Sequence, residues 1–133
     1  MTAGYSGTPL PRKLGINPGH RVLLAYAPSD ITLAAPGATV HRRPTGSTPY
    51  DVQLAFVPAI AALGPRFEAA RQRMTVDGGL WIAWPKRSSG VMTDLDENVV
   101  RDHGLAVGLV DNKVCAVDET WSGLRFVVRL RDR

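Results

Sequence analysis

The letters R-V-L-L-A-Y at residues 21–26 form a nearly unbroken apolar run between a turn and a proline. A strand buried on both faces has this pattern, and such strands belong to parallel sheets that helices cover on both sides. The preceding turn reads I-N-P-G-H at residues 16–20, where Asn17-Pro18 restricts the backbone and Gly19 allows a positive φ. Pro28 ends the strand. The run therefore predicts an α/β domain with a parallel sheet.

Five further strands are predicted after this one, at residues 38–42, 50–57, 80–84, 106–117 and 124–130. The letters D-G-G at 77–79 predict a tight turn, a second turn is expected at 111–112, and residues 118–123 form a hairpin loop. Arg125 and Arg129 alternate with apolar residues, which predicts one wet face for the last strand. The last two strands are expected to pair antiparallel.

Three helices are predicted between the strands. Ser29 would cap the first, at residues 29–35. The second covers 60–74 and is kinked or divided at Gly64-Pro65. The third covers 94–103, with Thr93 and Asp96 as a capping box and Gly104 as its stop. The order β-α-β-β-α-β-α-β-β predicts a shortened doubly wound sheet, in which the nine-residue loop 41–49 leaves the second strand as an edge.

Length and composition bound the classes of protein that this chain can be. The 133 residues suit one domain, expected at 13–133 after a flexible lead-in at 1–12. The single cysteine, Cys115, excludes an internal disulfide and a multi-cysteine metal site. No apolar run approaches the roughly 20 residues that span a bilayer, and the first residues do not resemble a signal peptide. We therefore expect no membrane association and a cytoplasmic location.

The formal net charge of +4 does not by itself predict a nucleic-acid partner. Thirteen of the sixteen cationic residues are arginines, in a chain also rich in Gly and Pro, and a GC-rich genome produces this bias. Three of them, Arg129, Arg131 and Arg133, lie at the end of the chain, where a solvated face is the simpler interpretation. A nucleic-acid surface is therefore not expected.

The pattern as a whole resembles the core of class I methyltransferases. The matching segments are P-G-H-R-V-L-L, Y-D-V-Q-L-A-F-V and D-G-G-L-W-I-A-W, which would correspond to the family's strands one, four and five, with the last two strands as its final antiparallel pair. The functional positions differ. The turn after strand one is A-Y-A-P-S instead of glycine-rich, and H-R-R stands where the family carries an acid for the ribose. The family often has a polar catalytic residue after strand four, whereas F-V-P offers none here. No cofactor is therefore expected.

A second resemblance covers most of the chain at finer grain. The segments L-G-I-N-P-G-H-R-V, G-G-L-W-I-A-W-P-K and L-V-D-N-K-V-C-A-V-D-E-T-W-S-G-L-R-F-V-V-R-L resemble an uncharacterised bacterial family, domain of unknown function three-zero-five-two. This resemblance implies no activity.

One loop has the chemistry of an anion site. It reads P-K-R-S-S-G-V-M-T at residues 85–93 and links a buried strand to a helix N-terminus, where ligands of open α/β sheets bind. Guanidinium, ammonium, hydroxyl and flexible backbone groups would together bind a phosphate or carboxylate. The predicted site consists of Lys86, Arg87, Ser88, Ser89, Gly90 and Thr93, with Arg42 and Arg43 facing the same edge. An ordinary charged loop has the same pattern, which matches no P-loop spacing.

The remaining polar residues suggest an interaction surface and no metal site. The hairpin carries Lys113, Asp118, Trp121 and Arg125, which would form a recognition surface around the tryptophan, although turn chemistry explains the same residues. Cys115 is expected to be a buried, structural thiol. The three histidines are His20, His41 and His103, which lack metal-ligand spacing.

Three functions follow from these observations. The first is a non-catalytic methyltransferase-like domain that binds an anionic small molecule at the strand carboxyl ends. The second is a protein-interaction module, which uses the hairpin or pairs the exposed sheet edge with a protein partner or a second copy of this chain. The third is a divergent S-adenosylmethionine-dependent methyltransferase.

Overall fold

The apolar runs form one six-stranded mixed sheet in the computed structural model, which describes residues 7–133. The strands are β1 (Arg21–Ala25), β2 (Thr39–His41), β3 (Tyr50–Phe56), β4 (Met74–Pro85), β5 (Leu109–Ala116) and β6 (Trp121–Val128). Their order across the sheet is β2-β1-β3-β4-β6-β5. The first four strands are parallel, and β6 lies antiparallel between β4 and β5. The predicted α/β class and the C-terminal antiparallel hairpin are confirmed.

Within residues 7–133, three α-helices cover the sheet, namely α1 (Leu10–Leu14), α2 (Ile60–Arg71) and α3 (Glu97–Ala106). The strands alternate their side chains between two apolar layers, as the period of two requires. Leu23 and Leu80 lie in the layer with Phe67 of α2, whereas Leu24 and Trp81 lie in the layer with Leu14 of α1. The central strands are therefore buried on both faces, which is why they lack polar alternation in the sequence.

The second strand is an edge, as predicted, because β2 pairs only with β1 among the described strands. The chain then crosses β1 to reach β3 through an exposed loop. Arg21 donates hydrogen bonds to the carbonyls of Thr45 and Thr48, and the backbone N–H of Thr45 donates to the Tyr50 hydroxyl. These contacts hold the loop against the amino ends of β1 and β3.

The predicted helix at residues 29–35 is wrong. These residues form turns and irregular backbone instead. The guanidinium of Arg42 donates to the carbonyl oxygens of Pro28 and Ile31, at 2.9 and 2.7 Å, and also contacts that of Ala27. Isolated helices this short are marginal, so a side chain that binds their carbonyls readily outcompetes the helical hydrogen bonds.

The second helix and the strand after it also differ from the prediction. Helix α2 is continuous through Pro65 and ends at Arg71, so Met74 already belongs to β4. One proline removes a single hydrogen bond, which the burial of Leu63 and Phe67 against the sheet offsets. The predicted turn at 77–79 is an irregularity within β4, where the pairing with β3 shifts register.

The boundaries of the third helix follow different residues from those predicted. Asp96 caps α3 by accepting a hydrogen bond from the Val99 N–H at 2.8 Å, whereas the Thr93 hydroxyl donates to the Pro58 carbonyl. Gly104 lies inside the helix instead of ending it. A Cβ at Gly104 would overlap the ring of Phe126, so glycine is needed here for close helix–sheet packing.

The C-terminal strands have shifted bounds. β5 begins at Leu109 and continues past residues 111–112, where a bulge replaces the predicted turn. β6 begins at Trp121, so its first residues come from the predicted hairpin loop. Residues on both faces of β6 are buried, Leu124 and Phe126 on one face and Val127 on the other, so the single wet face expected for it is wrong.

The N-terminal part contains one short helix that overlaps the end of the predicted flexible lead-in at 1–12. Residues 1–6 of that segment lie outside the described residues, and Leu10–Leu14 forms α1. Leu14 is buried, and its carbonyl accepts a hydrogen bond from the Trp81 indole. Within residues 7–133, no helix is long and apolar enough to cross a bilayer.

Candidate anion-binding site

The carboxyl ends of β1 and β2 open onto a cleft of about 480 Å³, called here the arginine cleft. Its residues come from the end of β1, the loops after β1 and β2, and the turn between α2 and β4. They are Ala25, Tyr26, Ala27, Ser29, Arg42, Arg43, Pro44 and Arg73. The volume lies within the range of small-molecule sites in proteins.

Tyr26 begins the turn after β1 in the left-handed region, at φ 59°, the one non-glycine residue with positive φ within residues 7–133. Its ring is stacked on the guanidinium of Arg66, 4.2 Å from the ring centroid. Arg66 donates a hydrogen bond of 2.7 Å to the carbonyl of Phe56, the last residue of β3. The Tyr26–Arg66 pair therefore bridges the carboxyl ends of β1 and β3, where the chain reverses its winding direction.

The three arginines of the cleft differ in what they bind. Arg42 donates to backbone carbonyls of the loop after β1, which fixes both that loop and the guanidinium itself. Within the described part of the chain, neither Arg43 nor Arg73 has a side-chain hydrogen bond or an ion pair. Backbone carbonyls do not cancel a positive charge. No ion pair among the described residues therefore compensates the charge of the three arginines that line the cleft.

No carboxylate opposes these charges among the described residues that line the cleft. The six residues outside the described range, M-T-A-G-Y-S, contain no acid either. Like charges that share a concave surface repel one another, and low-dielectric walls strengthen the field. A bound anion would relieve this repulsion and supply the missing hydrogen-bond acceptors.

The loop predicted to bind an anion lines a separate cleft of about 440 Å³, called here the Lys86 cleft. Lys86, Arg87, Gly90 and Thr93 line it, together with the acids Asp96 and Glu97. Ser89 donates to the Lys86 carbonyl at 2.6 Å and Thr93 donates to the Pro58 carbonyl, whereas Ser88 is exposed and does not line this cleft. Two cations here face two carboxylates, and Asp96 occupies the helix N-terminus that an anion would use.

The predicted anion-site residues are therefore divided between two clefts that share no lining residue. Arg42 and Arg43 belong to the arginine cleft, and the residues of the 85–93 loop do not reach it. Sequence reasoning missed Tyr26, Arg66 and Arg73. The signal for Tyr26 was present, because a bulky residue directly after the first strand stands where the resembling family has glycine. Arg66 and Arg73 had no comparable signal, since they enter through α2 and the turn after it.

The predicted interaction residues lie along the hairpin, and most of their contacts are within it or with the strands beside it. Asp118 accepts hydrogen bonds from the N–H groups of Thr120 and Trp121, both at 2.8 Å, which is turn chemistry. Trp121 packs edge-on against Phe56 at 5.0 Å between ring centroids. Arg125 lies across Gly79, and burial, followed by the nearby Arg133, lowers its pKa. Lys113 is exposed on the edge strand β5.

Cys115 lines a third cleft, of about 390 Å³, on the opposite layer from α2, together with Trp81 and Lys113. Burial raises the pKa of its thiol to about 11, and the charge of Lys13 only partly opposes this shift. A thiol with this pKa is almost fully protonated at neutral pH and is a poor nucleophile. No group of three or more His, Cys, Asp or Glu residues with metal-ligand geometry occurs in residues 7–133.

Comparison with known proteins adds no family to these observations. The chain matches no protein-family model, and no curated protein matches it either.

Proposed function

We propose that this chain is a non-catalytic domain that binds a small anion in the arginine cleft, at the carboxyl ends of β1 and β2. The observation that carries the proposal is the uncompensated charge of Arg42, Arg43 and Arg73 around one cleft. Arg42 preorganises the cleft, and Arg43 and Arg73 supply donors that no other described group uses. In this proposal the positive field attracts the ligand and charge-assisted hydrogen bonds hold it.

We also propose that the architecture is a shortened methyltransferase-like sheet. The neighbour relations support this, since β1 lies beside β3, β3 beside β4, and an antiparallel pair completes the sheet. Those relations agree with the correspondence to strands one, four and five. The arginine cleft lies after β1 and β2, where the resembling family binds S-adenosylmethionine. A sulfonium cation would be repelled by these guanidinium groups, so the cleft favours an anion over that cofactor.

The alternative of a protein-interaction module has less support. The polar groups of the hairpin bind their own turn, and Trp121 is partly buried against β3. The predicted edge strand, β2, is only three residues long, and a bulge between Asp111 and Lys113 interrupts β5 at the other edge of the described sheet, so neither is a long edge for a partner strand to extend.

The test is a calorimetric titration of the protein with inorganic pyrophosphate at low salt. We expect saturable binding by the natural chain and a loss of about 100-fold in affinity for the double variant R43Q/R73Q, about tenfold for each charge-assisted contact. The matched control is K86Q/R87Q, which removes the same charge from the Lys86 cleft and should change the affinity less than twofold. Both arginines lack side-chain partners among the described residues, so the variant should fold normally.

Three outcomes would contradict the proposal. If the folded protein does not bind pyrophosphate, the proposed anion site is wrong. An equal loss in R43Q/R73Q and K86Q/R87Q would indicate a general charge effect. Tighter binding of S-adenosylhomocysteine than of pyrophosphate, with methyl transfer from S-adenosylmethionine, would replace it with the methyltransferase function.

A further inference from the structure

We infer that the ligand of the arginine cleft carries a planar aromatic ring beside its phosphate, so that its class is a nucleoside monophosphate. This inference rests on the proposed anion-binding function and adds the recognition of the ring by Tyr26. In the proposed complex the base stacks on Tyr26, and the phosphate oxygens accept hydrogen bonds from Arg43 and Arg73. Three features of the cleft carry it, namely the backbone at Tyr26, the support of its ring, and the arrangement of the cations.

The backbone of Tyr26 is unfavourable for a tyrosine. At φ 59° an ordinary turn would use glycine or asparagine, because a Cβ in this region crowds the following carbonyl. The other positive-φ positions of residues 7–133 are all glycines. Bulky residues in this region are held by their surroundings and cluster at ligand sites. The stacking of the ring on Arg66 only partly offsets this backbone cost, so the fold alone does not account for an aromatic residue at this position.

The ring of Tyr26 is fixed and yet accessible. Arg66 covers one face at 4.2 Å and is itself tied to the Phe56 carbonyl at 2.7 Å, which restrains the ring. The residue nevertheless remains 49% exposed and lines the cleft. A half-exposed aromatic ring with one face supported is a stacking platform for a flat ligand group. The cationic partner behind it further favours an electron-rich ring.

The cations lie on the same cleft as this platform. Arg43 follows β2 and Arg73 follows α2, so the two arginines line the cleft from different elements. A phosphate monoester can accept hydrogen bonds from two guanidinium groups at once, because three of its oxygens are free. The cleft volume of about 480 Å³ suits a ligand larger than a bare phosphate. Ring, sugar and phosphate together match the platform, the cleft and the cations.

The test compares three probes by calorimetry, namely adenosine 5′-monophosphate, ribose 5-phosphate and adenosine. We expect adenosine 5′-monophosphate to bind about tenfold more tightly than ribose 5-phosphate, a factor within the range that stacking of one base supplies. In Y26N this advantage should disappear while ribose 5-phosphate binding stays unchanged. Asparagine tolerates the left-handed backbone, so the turn is kept. Y26F keeps the ring and should restore the natural preference.

The outcomes separate this inference from the proposed function. Equal binding of adenosine 5′-monophosphate and ribose 5-phosphate to the natural chain would overturn the ring recognition and leave the anion site in place. A parallel loss of both ligands in Y26N would assign Tyr26 to the structure of the turn and also overturn the inference. Failure of every phosphorylated probe, together with pyrophosphate, would reject both proposals.

Discussion

The arginine cleft and the Lys86 cleft lie after parallel strands of one sheet and carry similar numbers of cations, yet their surroundings differ. In the arginine cleft the guanidinium groups of Arg43 and Arg73 face no carboxylate among the described residues. In the Lys86 cleft, Asp96 and Glu97 balance Lys86 and Arg87, and the hydroxyls of Ser89 and Thr93 bind backbone carbonyls. The difference shows that an anion site depends on which donors remain unused after the fold has satisfied its own polar groups.

The two clefts also differ in the residue that adopts a positive φ. The Lys86 cleft has a glycine, Gly90, at its positive-φ position, with φ 77°, whereas the arginine cleft has a tyrosine at φ 59°. Glycine adopts this region without cost, and tyrosine does not. Of the two clefts, only the arginine cleft therefore has a backbone conformation that lowers the stability of the fold, as is common where a ligand is bound.

The largest expected effect tests whether Arg42 organises the arginine cleft. In R42A the carbonyls of Pro28 and Ile31 lose charge-assisted hydrogen bonds, and we expect the free energy of unfolding to fall by about 2 kcal/mol. Chemical denaturation measures this change. The matched control is R43A, at the neighbouring position without a side-chain partner, which should stay within about 0.5 kcal/mol of the natural chain. Equal effects of the two variants would show that Arg42 does not hold the loop.

A second experiment would convert the Lys86 cleft into an anion site. In the R43Q/R73Q background, D96N/E97Q removes two negative charges while asparagine keeps the cap of α3. Arg101 would lose its ion pair with Glu97, where the glutamine amide oxygen can still accept a hydrogen bond, and would keep its ion pair with Asp111. We expect phosphate affinity at this cleft to rise about tenfold, because two charges near a helix N-terminus are removed.

Amide chemical shifts of Gly90 during a phosphate titration would report this gain at the cleft itself. The same titration of R43Q/R73Q without the acidic changes is the control. An unchanged shift profile in both proteins would show that charge balance is not what distinguishes the two clefts.

The smallest expected effects are changes in the free energy of unfolding, with opposite signs at Gly90 of the Lys86 cleft and Tyr26 of the arginine cleft. G90A should lower the free energy of unfolding by about 1 kcal/mol, since a Cβ there meets open space and only the backbone cost counts. Y26N should raise it by about 0.5 kcal/mol, because relief of the backbone cost exceeds the lost stacking on Arg66. Thermal and chemical denaturation of the two variants would measure both. A destabilised Y26N would indicate that the ring serves the fold.

Much of the sheet was predictable from local pattern. The strands near residues 21–26, 50–57 and 80–84 were predicted because apolar runs bounded by turns need burial on both faces. The absence of a helix at 29–35 was not predictable, because Arg42, which follows the next strand, binds the carbonyls of Pro28 and Ile31. The role of Gly104 inside α3 was not predictable either, because the residue that it packs against, Phe126, lies far along the chain and meets it only in the folded sheet.

The candidate site was predicted only in part for a related reason. Arg42 and Arg43 were recognised because they directly follow a strand, whereas Arg73 and Arg66 reach the site through packing of α2. The sequence by itself determined the apolar strands, the α/β class and the excess of arginine, since these depend on residue type and near neighbours. Only the tertiary structure decided which arginines have counter-charges, because Coulomb interactions and hydrogen bonds depend on distances in space and not along the chain.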